Sequence, residues 1–250
     1  MNNQVIESGP TTRASISIIT ATYNAAEVLP RLISSLRSQT DKDFEWVISD
    51  GASTDGTVEI AQSARDLNLV LDSRPDFGIY DALNRAIQLS TGEYYLVLGA
   101  DDLLYPEAIA SFRRLINTSE ADLITAQVLA DGVINSVRRP WPWLYGQFAY
   151  VSSHAVGTLI RKSLHDQFGL YSRRFPIAAD QLFLKKVGDN GARILKAHFV
   201  AGEFSTQGTS GNDILGTLTE GLRVQLMTGE KRFWQVLIFF LRLLKNYRRL

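Results

Sequence analysis

Two aspartates stand side by side at Asp101-Asp102, directly after the apolar, aromatic run Tyr94–Leu98. Adjacent carboxylates repel, and ending a buried strand with both is costly unless a cation, a donor-rich ligand or water relieves them. Capping a helix that starts near Pro106 needs one aspartate, which leaves the second without a local structural purpose. Paired oxygen donors of this kind suit a hard divalent cation. Asp50 and Asp55 follow a second strand-like run, Phe44–Ser49. A carboxylate at the position of Asp50 can accept hydrogen bonds from a base or ribose. Asp55, just ahead of Gly56-Thr57, reads first as turn and helix-cap chemistry.

Several other chemistries are excluded. The chain of 250 residues has no cysteine, which removes disulfides, thiolate nucleophiles, Cys-ligated zinc and iron–sulfur clusters. Gly51-x-x-x-x-Gly56-Thr57 has the glycine spacing of a P-loop but lacks its lysine. No Gly-x-Gly-x-x-Gly follows the first strand, so the dinucleotide fingerprint is absent too. The three histidines, His154, His165 and His198, lack metal-ligand spacing. A nucleotidyltransferase would want a Gly-rich loop with Arg and Lys after the first strand, and Ala21–Ala26 has neither.

These residues need elements to hold them. Strands are predicted at Ser15–Thr20, Phe44–Ser49, Asn68–Asp72 and Tyr94–Leu98, and helices at Ala25–Gln39, Thr57–Asp66, Tyr80–Leu89 and Pro106–Asn117. The βαβα order implies an α/β fold, a mostly parallel central sheet flanked by helices, with ligands bound beyond the carboxyl ends of the strands. Beyond residue 130 the pattern is less regular. It includes Arg138–Trp143, a strand at Val156–Arg161, a helix near Asp180–Val187, a Gly/Ser/Thr-rich loop at Gly202–Gly211 and a helical end opening at the Asn212-Asp213 cap signal. Residues 1–212 are expected to form one domain and 213–250 a C-terminal amphipathic helical extension.

Four segments in order resemble the family 2 inverting glycosyltransferases of the GT-A fold: Thr20–Asn24, Asp50–Thr57, Asp76–Asn84 and Ala100-Asp101-Asp102. Gly78–Asn84 is most similar to bacterial members that build cell-surface polysaccharides of the colanic-acid and O-antigen type. Ser153-His154-Ala155 and Ala179-Asp180-Gln181 resemble the acceptor-side segments of that group. The resemblance implies that Thr20, Tyr23 and Asp50 line a nucleoside pocket and that Arg74 and Asp76 contact the base or diphosphate. It further implies that Asp101 faces the ribose and that Asp102 ligates Mg²⁺ or Mn²⁺. Such an ion would stabilise the charge developing on a diphosphate leaving group. Inversion also needs a base on the face opposite that leaving group, and Asp180, between Ala178-Ala179 and Leu182-Phe183, is the candidate. His154, Trp141 and Trp143 are expected on the acceptor side. The Gln-x-x-Arg-Trp motif of processive synthases is absent, which favours transfer of a single sugar. The partners so implied are a nucleoside diphosphate sugar, with a UDP-sugar favoured, and a glycan or lipid-linked acceptor. A non-catalytic nucleotide-sugar-binding or membrane scaffold protein of the same fold is the alternative.

Charge adds a location. The chain has 26 basic and 26 acidic residues, but residues 231–250 hold six basic residues and no acid, leaving 20 basic and 26 acidic in the rest. On a helical wheel Lys231, Gln235, Arg242, Lys245, Asn246 and Arg249 form a narrow polar stripe, and the remaining surface is apolar. A helix so widely apolar must be buried in the protein, in a partner or in a membrane interface. The missing acids, with Trp234 and Phe240, favour an anionic membrane surface. No signal peptide or spanning run is apparent, so the expectation is a cytoplasmic protein, peripheral on the inner face of the cytoplasmic membrane. Nucleic acid is not an expected partner, because the basic residues are concentrated at one end.

Overall fold

Side-chain alternation in the first strands divides the core into two layers. Ile16 and Ile18 of β1 (Ile16–Thr22), Trp46 and Ile48 of β2 (Glu45–Asp50) and Tyr94 and Leu96 of β4 (Tyr94–Val97) join one buried cluster. Ile19, Val47, Tyr95 and Val97 of the same strands join the other. On the first face lie α1 (Leu29–Arg37), α2 (Thr57–Gln62) and α4 (Ala108–Thr118), through Leu32, Ala61 and Phe112. On the second lie α3 (Ile79–Leu89) and α7 (Ala179–Asp189), through Leu83 and Phe183. Strands covered on both faces need near-continuous apolar sequence, which is what made them legible. The computed structural model describes residues 15–205 and 213–248.

Among the described residues the sheet has nine strands. The others are β3 (Leu69–Ser73), β5 (Leu103–Leu104), β6 (Leu123–Ala130), β7 (Val133–Asn135), β8 (Thr158–Arg161) and β9 (Ile194–Glu203). Their order is β3-β2-β1-β4-β8-β6-β9-β5, with β7 on β6. β1 to β4, β6 and β9 run in one direction, so the sheet is mostly parallel. The chain leaves β1 towards β2 and β3, then returns to β4 on the other side of β1. That reversal is a topological switch point, where open α/β sheets bind ligands beyond the strand ends.

The predicted strands and helices of the first half are present, with ends moved by a few residues. α1 starts at Leu29 and not at Ala25, because Pro30 is held in its first turn. The long strands β6 and β9 carried no clear signal, since β9 mixes Lys196, His198 and exposed positions into its apolar residues. The last segment is two helices, α8 (Ile214–Met227) and α9 (Arg232–Asn246), parted at Gly229, whose φ of +89° favours glycine. Asp213 accepts the Gly216 N–H as the expected cap. Asn212, most of the Gly202–Gly211 loop and Arg249 lie outside the described residues.

Candidate active site

At the carboxyl end of β2, Asp50 is fully buried and meets four donors. Its Oδ1 accepts from the Thr22 and Ser53 hydroxyls at 2.8 and 2.5 Å, and its Oδ2 from the Ser53 N–H and the Ser73 hydroxyl at 2.9 and 2.7 Å. Burial alone would raise its pKa, but these hydrogen bonds outweigh burial and hold the carboxyl below its ordinary range. Asp50 therefore ties together the ends of β1, β2 and β3, and its acceptor positions are committed to the protein. Thr20 is buried one step back, its hydroxyl receiving the Trp46 indole N–H at 3.0 Å. Asp55 accepts from the Ala26 N–H and from the Thr57 N–H and hydroxyl, the turn and cap chemistry expected of it.

Tyr23, Asp76 and Gly51 meet on the rim of this end. A side chain on Gly51 would place its Cβ 2.8 Å from Asp76 Oδ2 and 3.2 Å from the Tyr23 ring, so the approach requires glycine. Tyr23 is 68% exposed, a ring face open to solvent. Arg74 extends outward against Asp72 at 3.1 Å. Arg85, buried on α3, carried no signal in the sequence. Its guanidinium donates to the Asp50 and Arg74 carbonyls at 3.1 and 3.2 Å and lies 3.6 Å from Asp76. A fork of fixed donors holds this rim together.

Beyond β4 the chain turns into a cavity of about 650 Å³ at the switch point. Asp101 and Asp102 line one side; His154 and Asp180 also line it, brought in from the second half. Asp102 is 1% exposed; its Oδ2 accepts the Gly99 N–H at 2.7 Å and its Oδ1 the Ser205 N–H at 2.9 Å. It thus joins the β4 end to the segment after β9, and it caps no helix. Burial, with a small addition from Asp101, pushes its pKa up to about 7. A Cβ on Gly99 would lie 2.9 Å from Asp101 and 3.0 Å from Asp102, so glycine is needed where the pair folds back.

Asp180 enters from the first turn of α7 and is likewise buried. It does not cap the helix. Just ahead of the helix, Glu220 of α8 accepts the Ile177 and Ala178 N–H groups on its Oε2 at 3.0 and 2.8 Å and so ties the entry of α7 to α8. The phenol of Tyr80 lies 2.5 Å from Asp180 Oδ1 and 2.8 Å from the Ile177 carbonyl, and His154 Nδ1 is 3.7 Å from Asp180 Oδ2. Val156 holds φ at +65°, a costly conformation for a β-branched residue, just where the chain turns Ser153–Ala155 into the cavity.

Trp141 and Trp143 are not in this cavity. They stand 42% exposed, Trp141 just ahead of and Trp143 within the one-turn helix α5 (Pro142–Tyr145), on the segment that receives α9. Gln235 donates to the Trp143 carbonyl and Arg242 to the Leu144 carbonyl, each at 2.6 Å. Gln235, which is buried, and Arg242 of the polar stripe thus face the protein, while Lys231 and Lys245 remain exposed. Phe233, Trp234, Phe240, Leu241 and Leu244 remain 49–73% exposed. Docking of the apolar face on the protein's own core is not what the described residues adopt.

An α/β sheet with carboxylates gathered at its switch point, two after β4 and one entering from α7, defines a class of nucleotide-sugar enzyme. Residues 17–185 match the model of glycosyl transferase family 2, and the chain belongs to that family. Over 208 residues it is 33% identical to a PGL/p-HBAD biosynthesis glycosyltransferase of Mycobacterium tuberculosis, covering 80% of each chain. Its fold is similar to that of Staphylococcus aureus TarS 1–349 in complex with UDP, with a TM-score of 0.69 at 22% identity, covering 94% of this chain and 72% of that one. It is similar as well to the mannosyltransferase PcManGT of Pyrobaculum calidifontis in complex with GDP-Man and Mn²⁺, with a TM-score of 0.66 at 18% identity over 96% and 76% of the two chains. The protein is a nucleotide-sugar-dependent glycosyltransferase of GT-A fold.

Proposed function

We propose that the protein moves one sugar, with inversion, from a nucleoside diphosphate sugar to a hydroxyl of a glycan or lipid-linked acceptor in bacterial cell-surface assembly. The observation that carries this is the gathering of Asp101-Asp102, from the end of β4, and Asp180, from α7, in the lining of one cavity. The donor's diphosphate belongs beside the strand-end pair, and the acceptor hydroxyl beside the carboxylate supplied by the second half. Inversion requires that separation, because attack and departure occur on opposite faces of the sugar carbon. On this reading residues 15–130 form the donor half, 131–212 the acceptor half and 213–250 the extension. Tyr23 offers a ring face to the nucleoside, with Arg74 and Asp76 beside it; Thr20 and Asp50 hold that pocket in shape. Asp101 faces the ribose. A UDP-sugar is favoured, in keeping with the UDP bound by TarS.

The residues also suit a divalent ion. Asp102 is a buried carboxylate whose proton affinity is raised, each oxygen having one N–H donor and a further lone pair. Among the described residues no group of three His, Cys, Asp or Glu side chains could hold an ion, so the set is half of one. Mg²⁺ and Mn²⁺ accept this arrangement, one or two carboxylates with substrate phosphate oxygens completing the shell. When bound, the ion would supply Lewis-acid stabilisation of the departing diphosphate. Binding to Asp102, with Asp101 adjacent, is in keeping with the Mn²⁺ of PcManGT.

The exposed apolar face of α9 fits the anionic inner surface of the cytoplasmic membrane, its aromatic residues flanked by Lys231, Arg232, Lys245 and Arg248. No helix among the described residues is long and apolar enough to cross a bilayer, and the contact would be peripheral. Trp141 and Trp143, on the segment beneath α9, then lie where a lipid-linked acceptor would approach.

Titration calorimetry of the purified protein with UDP-, GDP- and dTDP-sugars, with and without Mn²⁺, tests the donor reading. One nucleotide class should bind in an Mn²⁺-dependent manner, and Asp102→Ala should weaken it greatly while Asp180→Asn leaves it intact. Binding of none of them, or binding indifferent to Asp102, would remove the reading. Sedimentation with anionic liposomes tests the tail: residues 1–230 alone should lose the binding shown by the full chain.

A further inference from the structure

A chain of buried polar side chains runs from Asp180 through the second core layer, and the reading of Asp180 as base does not use it. His154 Nε2 lies 2.7 Å from the Tyr171 hydroxyl, Tyr171 lies 2.8 Å from the Tyr95 hydroxyl, and Tyr95 lies 2.7 Å from His165 Nε2. The chain ends where His165 Nδ1 meets the Gly169 carbonyl at 3.0 Å. His165 and Tyr171 pack against Phe183, Tyr95 stacks on His165, and His154 lines the cavity edge-on to Tyr171.

The far end sets the direction of every proton in it. A carbonyl only accepts, so His165 Nδ1 carries the hydrogen and, in the neutral ring, Nε2 is bare. Tyr95 must then donate to His165, Tyr171 to Tyr95, and His154 Nε2 to Tyr171. What remains is His154 Nδ1, a bare lone pair 3.7 Å from Asp180 Oδ2. Burial lowers the pKa of both imidazoles and raises those of both phenols, so the chain is neutral near pH 7 and each link holds one proton. Tyr80 faces the other Asp180 oxygen. Oδ2 and Nδ1 thus form a gap between two acceptors, wide enough to be unbonded and able to tighten when a proton enters.

We propose that the base is an Asp180–His154 pair, in which Tyr171, Tyr95 and His165 act as positioning residues that hold His154 as its Nε2–H tautomer, so that Nδ1 receives the proton Asp180 takes. The proposal rests on Asp180 being the base. In the step, the acceptor O–H bond breaks as its oxygen bonds to the anomeric carbon. The electron pair of the bond from that carbon to the phosphate oxygen leaves with the nucleoside diphosphate. The proton passes to Asp180 and is held by His154 Nδ1, leaving an imidazolium beside a carboxylate and not a neutral acid. The groups around His154 are Asp180 on α7, Tyr171 on the segment before it, His165 on α6 (Leu164–Phe168) and Tyr95 on β4; Asp101, Asp102, Asp131 and Arg138 line the rest of the cavity.

With three histidines in the chain, ¹⁵N-histidine labelling of the full-length protein reads the tautomers directly. His154 should carry its hydrogen on Nε2 and His165 on Nδ1. Tyr171→Phe should release the preference of His154 and leave His165 unchanged, because Tyr95 still donates to it. In turnover with the donor the calorimetry identifies, His154→Gln should lower kcat about 10- to 100-fold without changing donor KM. It should also move the acid limb of kcat down by about one pH unit, as expected when two groups that share a proton are uncoupled. An Nδ1–H tautomer at His154 in the unaltered protein would overturn the proposal whether or not any variant folds. Loss of turnover in Asp180→Asn with no effect of His154→Gln on kcat or its pH limb removes the pair alone. Full turnover in Asp180→Asn removes the base reading and the pair with it.

Discussion

The two walls of the cavity hold their carboxylates in opposite ways. On the strand-end side Asp102 is bonded to backbone N–H groups, and Asp50, at the end of β2 outside the cavity lining, to one N–H and three hydroxyls of serine and threonine. On the acceptor wall Asp180 faces a tyrosine and a histidine. Amide and alkyl hydroxyl donors do not exchange protons with a carboxylate near neutral pH; they fix its position and orientation. An imidazole lone pair can take a proton. On the proposed reading, the first arrangement holds shape against a charged ligand and the second moves a proton.

The largest effect that would test this contrast is at Asp180. Asp180→Asn should cut kcat about a thousandfold, within the usual range for loss of a general base, and leave nucleotide-sugar affinity and thermal stability near those of the unaltered protein. Steady-state kinetics beside calorimetry reads both. Asp50→Ala should do the reverse. It strands four buried donors at the junction of three strands, and denaturant unfolding should show a loss of about 3 kcal/mol. Weakened donor binding would follow from lost order at that end. If Asp50→Ala instead folded normally and lost only nucleotide affinity, Asp50 would be a ligand contact and the contrast between the walls would fail.

The strand-end carboxylates were legible from sequence, as were Asp180 and His154, whereas the side chains that hold them were not, for physical reasons. Doubly covered strands announce themselves as apolar runs, and the residues that follow them fall at the switch point by topology alone. Asp101, Asp102 and the Asp50–Thr57 turn could therefore be placed. Their individual bonds could not: Asp50 was expected to reach a base, and its four partners come from β1, the loop after β2 and the end of β3. On the acceptor wall, Tyr95, Tyr171 and His165 look like ordinary core residues, and only the folded chain sets them end to end. Trp141 and Trp143 were expected near the acceptor because Arg138–Trp143 is a basic, aromatic stretch able to stack on a sugar. The structure places them under α9, whose Gln235 and Arg242 bind their segment. Glu220 gave no signal, since its partner helix begins about 40 residues earlier.

Glu220 is where the acceptor wall depends on fixed donors, so it offers a smaller test. Glu220→Ala leaves the Ile177 and Ala178 N–H groups, just ahead of α7, without their acceptor and should cost about 1–3 kcal/mol, typical of stranded buried donors. Because α7 carries Asp180, kcat should fall several-fold. Glu220→Gln keeps an accepting oxygen and should restore most of both. If Glu220→Gln behaved as the alanine variant does, the charge would matter more than the bond.

The smallest effect is expected at Glu45, which starts the strand that Asp50 ends. Its carboxylate accepts from the Ser17 hydroxyl, the Thr91 N–H and hydroxyl, and the Gly92 N–H. Burial alone would raise its pKa, and these bonds outweigh burial to hold it below the ordinary 4.5. A group whose folded pKa is depressed stabilises the fold above its unfolded value and loses that contribution as pH falls through the folded one. Glu45 should thus stabilise the protein fully above about pH 5 and progressively less below pH 4. Comparing urea midpoints at pH 7 and pH 3.5, Glu45→Gln should show a deficit at the higher pH that shrinks at the lower. Activity at pH 7, corrected for the folded fraction, should be unchanged, since this end of the sheet holds shape far from where any proton moves. A pH-independent deficit would mean that Glu45 contributes by packing and not by charge, and the fixed-donor description would then apply only to the end of the sheet that faces the cavity.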